Sequence, residues 1–237
     1  MTLSEVRDLF IEISGRNDLV QAGTAVGADF FLNEGCKELD RRLFGGKGEA
    51  AYIVDIDAEQ IVIPIPNCRI IRRVWVYTSS VKSMMEKAED LDEMRNYYDE
   101  PSSSKAAETP YVYFPISARP YPNVLVASEF NQTWALEDLM EDGHENFNAI
   151  LISPPPDAVY TVRVEGAFHS DELVNDGDYN FWTVKEPLAV VHAAMFKLEQ
   201  TYRNMEGARE WAAAIETIIT PMNMDLVEEE DINEMEG

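Results

Sequence analysis

Cysteine is scarce in this 237-residue chain. Only Cys36 and Cys68 are present, in no CxxC or Cys/His spacing, which excludes a disulfide framework or a zinc module and points to free thiols in a reducing compartment. Basic residues are also few, with 19 Lys and Arg against 44 Asp and Glu for a net charge of −25. A broad basic footprint for nucleic acid is therefore excluded, because gripping phosphates needs clustered cations. No run approaches the roughly 20 apolar residues that span a bilayer, and MTLSEVRDLF lacks the basic and apolar regions of a signal peptide. A soluble cytoplasmic protein is expected. Internal repeats are absent as well.

Catalytic and metal motifs are equally thin. GGKG at Gly45 to Gly48 has Arg41 where a phosphate loop needs its first glycine, and Glu49 where it needs Ser or Thr. DLMEDGH, Asp138 to His144, starts like a calcium loop but puts Met140 and Ala149 at positions that must supply oxygen. Asp55 and Asp57 are two apart and could share a strand face as a metal or acid–base pair, yet a hairpin turn there makes solvated carboxylates the stronger reading. His144, His169 and His192 stand apart, and Ser153 and Ser170 have no nucleophile elbow. No catalytic residue, metal ligand or cofactor is assigned. A hydrolase built on carboxylates keeps only the abundance of acids in its favour.

What the chain does have is enough apolar surface for a sizeable core, with 46% hydrophobic and 10% aromatic residues. Leu3, Val6, Phe10 and Ile13 follow helical spacing behind Thr2, which with Glu5 forms a capping box, and Gly15 suits the stop. Ala28 to Phe44 predicts a second amphipathic helix carrying Cys36, Leu39 and Leu43 on one face. The period then changes. Ala51–Ile56, Gln60–Ile65, Arg69–Thr78, Tyr111–Ile116, Val124–Phe130, Ala149–Ile152 and Val159–Glu165 predict strands, with a charged helix after Ser79 or Ser80 running toward Tyr98 and a mobile loop at PSSSKAAETP.

Three prolines, Pro154 to Pro156, stiffen the approach to the last strand, on which Tyr160, Val162 and Val164 share the expected buried side. Pro187 opens a helix with Leu188, Val191, Met195, Leu198 and Tyr202 in 3-4 steps. Ala208, Trp211, Ile215, Ile218 and Met222 repeat those steps, predicting an antiparallel helical hairpin. Glu228 to Gly237 holds six acids and no base. The expected fold is α+β: an α-helical bundle from the N- and C-terminal helices with an inserted β-rich segment. Its parts are residues 1–48 as N-terminal helices, 49–184 as the insertion, 185–224 as the hairpin, and 225–237 as an acidic tail.

Several segments resemble the head-to-tail adaptor (connector) family of tailed bacteriophages. They are LSEVRDLFIEISGRNDLV with Arg7, Gly15 and Asp18; Ala28, Asp29, Asn33, Gly35 and Leu39; the IVIPIPNCRIIRRVWVY run; LISPPPDAVYTVRVEG; and PLAVVHAAMFKLEQTYRNMEGAREWAAAIETII. The likeness covers both ends well and the stretch from Met84 to Asn148 poorly. It implies a non-enzymatic structural protein of the virion neck, present in the host cytoplasm during assembly. It also implies a homo-oligomeric ring, twelve-fold in most of the family, that docks on the portal protein and faces the tail or other neck proteins. Double-stranded DNA would pass through the ring without specific binding, and an acidic lumen would let it slide. Another neck or tail-completion protein is the alternative. Met222, Met224, Leu226, Val227 and Ile232 are the candidate partner-interface residues, folding onto a neighbour or the portal, with a solvated tail as the competing reading.

Overall fold

A computed structural model describes residues 1–20, 27–43, 49–78, 81–90, 107–117 and 148–235, with backbone alone beyond residue 224. The chain divides into two compact units, one of Met1–Gly48 with His169–Gly237 and one of Glu49–Phe168.

In the first unit, α1 (Leu3–Ser14) begins at the capping box: Thr2 N–H donates to Glu5 Oε2 at 2.9 Å while Glu5 N–H reaches Thr2 Oγ1. It stops at Gly15, whose φ of 65° is open to glycine at no steric cost. A 3-10 turn (Asn17–Val20) follows, then α2 (Ala28–Arg42). After the β unit come a short α3 (Phe181–Lys185) capped by Asn180, α4 (Pro187–Thr201) opened by its proline, and α5 (Met205–Met235). Leu3, Val6 and Phe10 of α1 meet Phe31, Leu32 and Leu39 of α2, Val190 and Val191 of α4, and Ile215 of α5 in one apolar core. Each such side chain contributes roughly 1.5–3 kcal/mol by leaving water. Packing of α2 on α4 is close because Gly35 has no side chain; a Cβ there would sit 2.9 Å from the Ala194 backbone nitrogen. Polar ties add direction. Glu38 accepts from Arg42 at 2.8 Å and from Lys197 at 2.7 Å, and Arg42 also reaches Glu216 at 2.6 Å, so one arginine joins α2 to α5.

The second unit holds eight strands among the described residues: β1 (Glu49–Ile56), β2 (Val62–Pro64), β3 (Cys68–Tyr77), β4 (Lys82–Met84), β5 (Glu86–Lys87), β6 (Val112–Ser117), β7 (Asn148–Ser153) and β8 (Tyr160–Phe168). They form two four-stranded sheets, ordered β1-β8-β3-β4 and β2-β7-β6-β5; every pairing is antiparallel except β5 with β6. Ile56, Val74, Val76, Val162 and Val164 of the first sheet share an apolar cluster with Ile63, Tyr113, Ile150 and Ile152 of the second. Ile61, Ala88, Val112 and Leu151 make a further cluster, so the second sheet gains a second covered face. Strand β8 is the spine of its sheet. Its Gly166 lies opposite irregular register in β3, where a Cβ would fall 2.0 Å from the Ile70 carbonyl oxygen.

This architecture corrects the expected one. The β part is no small insert in a helical bundle; it is two full sheets with an apolar core of its own. Pairings such as Glu49 with Ala167 join residues far apart in sequence, and periodicity cannot show which runs will pair. The charged helix expected after Ser79 or Ser80 is overturned in its first half, because Lys82–Met84 and Glu86–Lys87 are strands, Met84 opposite Trp75 and Glu86 opposite Val112. Helical spacing in a short charged run was outweighed by neighbouring edges that needed partners. The return to the helices falls at Phe168 and His169, since Leu173 and Trp182 are buried in the helical core. The rest of that expected helix, residues 91–98, the GGKG stretch at Gly45 to Gly48, the expected strand at Val124–Phe130, the calcium-like Asp138–His144 and residues 101–106 of the expected loop lie outside the described residues.

The proline run is tied down by backbone hydrogen bonds. Ser153, Pro155 and Pro156 lend their carbonyls to the N–H groups of Tyr111, Glu108 and Glu59, and the Ser153–Pro154 peptide is cis. Val162 and Val164 are buried as expected, with Tyr160 half-buried beside them.

Candidate interaction surfaces

The densest polar cluster is centred on Asp40 of α2. Its carboxylate accepts Trp182 Nε1–H at 2.7 Å, the Ser170 N–H at 2.7 Å and the Ser170 hydroxyl at 2.9 Å, with His169 Nδ1 at 3.5 Å. Burial would raise this carboxyl group, but the nearby His169 ring and the hydrogen bonds from Ser170 and Trp182 outweigh it and hold it below the usual carboxylate range. Ser170 donates to the aspartate instead of to the histidine, so no Ser–His relay exists here. The cluster is a lock that fastens the chain, as it returns from the β unit, to α2 and α3.

The other chemical candidates behave similarly. Cys36 and Cys68 are buried free thiols, each pushed up to about 11 by burial, the opposite of what a nucleophile requires. Asp55 sits on β1 and accepts the Thr161 hydroxyl at 2.6 Å, whereas Asp57 is exposed in the following turn, so the two do not converge on a ligand. His192 packs against Trp211, ring centroids 5.2 Å apart and tilted by 43°, across the α4–α5 contact. Among the described residues no group of three or more His, Cys, Asp or Glu could hold a metal ion. A groove of about 240 Å³ in the β unit is lined by Ile65, Ile71, Tyr113 and Ile116 with Arg69 and Lys87. It brings together no acid–base pair.

Surfaces are more informative. On the first sheet the residues facing away from the core fall in cross-strand rows: Ala51, Glu165 and Arg73; Ile53, Arg163, Trp75 and Met84; Asp55, Thr161, Tyr77 and Lys82. Ile53 and Met84 are more than half exposed. The Lys82 ammonium lies 3.8 Å from the Trp75 ring centroid and 5.6 Å from that of Tyr77, a cation held over two aromatic faces. In a chain so acidic, a face that mixes Arg73, Arg163 and Lys82 with Trp75, Ile53 and Met84 is distinctive. The sequence reading missed it because register decides which residues share a row. The alternation of Arg73, Trp75 and Tyr77 within RRVWVY was the available signal.

Of the interface residues expected from sequence, Met222 packs partly against the helical core, and Met224 is 60% exposed. Leu226, Val227 and Ile232 fall within α5, which continues as helix to Met235.

The sequence profile of the SU10 adaptor protein family matches residues 1–231. The chain belongs to the SU10 adaptor protein family. This is a phage head-tail adaptor family, which makes the chain a structural adaptor protein and a virion component. No curated protein matches it. No helix among the described residues is long and apolar enough to cross a membrane.

Proposed function

We propose that the chain is the subunit of a twelve-fold homo-oligomeric ring seated between the portal and the tail, where it extends the channel for double-stranded DNA. The observation that carries this reading is the family match over residues 1–231. It is supported by the charge balance of 44 acids against 19 bases, which opposes adhesion of a polyanion. The ring contacts the portal on one side and the tail or other neck proteins on the other. DNA slides past without a specific site. Met222, Met224, Leu226, Val227 and Ile232 belong to the contact with a neighbouring subunit or the portal.

Sedimentation of the full chain mixed with purified portal rings tests this. Co-migration with the portal at a fixed ratio, together with no retention on duplex DNA at physiological salt, is the expected result. Separate sedimentation of chain and portal would refute it.

A further inference from the structure

The outward face of the β1-β8-β3-β4 sheet and the acidic end of α5 match each other in charge, apolar content and length. Residues 225–237 carry seven acids and no base, with Leu226, Val227, Ile232 and Met235 among them. The sheet face offers the reverse: exposed Ile53 and Met84 around Trp75, with Arg73 to one side along β3 and Lys82 beside Tyr77 to the other. Its acids are already engaged, Glu165 with Arg163 at 3.0 Å, Glu49 with Arg72 at 2.7 Å and Asp55 with the Thr161 hydroxyl.

From Arg73 to Tyr77 the strand advances about 13 Å, and the helical stretch 225–235 advances about 16 Å, so one can lie across the other. A helix laid on a sheet is an ordinary way to cover an apolar sheet face. Met222 and Asn223 give the last described side-chain contacts of α5 with the helical core, the Asn223 amide donating to the Arg42 carbonyl at 3.3 Å, after which Met224 is exposed.

We infer that the C-terminal segment 225–237 of one copy docks on the Trp75–Lys82 sheet face of a second copy. This rests on the proposed ring, because closing a ring requires two different patches per subunit, each meeting the other patch on the next copy. Here the first patch is an acidic helix end and the second a cation-bearing aromatic sheet face. The contact is sensitive to salt, since its charges are close to solvent.

A carbodiimide, which joins lysine amines directly to carboxylates, tests it in the full chain assembled on portal rings from equal parts of ¹⁴N- and ¹⁵N-labelled protein. Cross-linked peptides joining Lys82 to the Glu228–Glu234 segment are expected with mixed isotopes. Their yield should fall at least tenfold in Arg73→Glu and in Met84→Glu, two exposed changes that leave Lys82 in place. Same-isotope links alone would show a copy binding its own tail and overturn the inference, as would the absence of such links or equal yield in both variants. Binding of the chain to portal is scored in the same samples. Portal binding without Lys82 links sinks this inference alone, and Lys82 links without portal binding sink the ring reading alone.

Discussion

Replacing Asp40 by Asn should loosen the helical unit at one identifiable point. The carboxylate serves donors on both oxygens: Trp182 Nε1–H and the Ser170 hydroxyl on Oδ1, and the Ser170 backbone N–H on Oδ2. An amide has one acceptor oxygen, so whichever way it turns its NH₂ confronts a buried N–H. An orphaned buried donor costs about 1–3 kcal/mol, and the bonds that survive lose the charge assistance that makes them about twice as strong. Together these give a loss of about 2–4 kcal/mol, or on the order of 10 °C in Tm for a unit of this size. Urea unfolding followed by tryptophan fluorescence measures the loss, and exchange of the Trp182 indole N–H localises it.

The sign with pH is fixed as well. Because the folded Asp40 group lies below its unfolded value, its contribution is complete above the unfolded pKa of about 4 and fades as pH falls through the folded one. The gap between wild type and Asp40→Asn should therefore be constant from pH 7 to 5 and close in stronger acid. A loss under about 0.5 kcal/mol at pH 7, with Trp182 still protected, would refute the lock.

Gly166→Ala puts a methyl group 2.0 Å from the Ile70 carbonyl and should destabilise the β unit by about 3 kcal/mol or prevent its folding; unchanged urea midpoints would count against the β3–β8 register. Gly35→Ala meets backbone at 2.9 Å and should cost about 1–3 kcal/mol in the helical unit, measured in the same way. Burial lowers the His192 pKa, so stability should decline as pH drops from about 6.5 through the folded value, and His192→Phe should remove that slope in calorimetric scans. With both thiols near 11, about one in a thousand is thiolate at pH 8, so iodoacetamide should label native Cys36 and Cys68 very slowly and both promptly in guanidinium.

Local features were legible in the sequence because they are set by neighbours along the chain. The Thr2–Glu5 capping box, the stop at Gly15, the proline start of α4 and the 3-4 stepping of α4 and α5 all appear where spacing puts them. The β unit was underestimated because its stability lies in partners distant in sequence. Nothing local to Lys82–Met84 reveals that Trp75 to Tyr77 will pair with it. Asp40 gave no signal either: on α2 it counts as one more surface charge until folding brings His169, Ser170 and Trp182 to it. Gly35 and Gly166 stood within the stretches that resemble the adaptor family, but only the backbone approach at each explains why glycine is required.

The proposed ring is open to direct observation by electron microscopy of portal rings incubated with the full chain. The expected result is a coaxial layer of twelve copies on one end of the portal, with the channel continuing through it and acidic side chains lining the lumen. Portal rings without an added layer, or a layer that closes the channel, would contradict it.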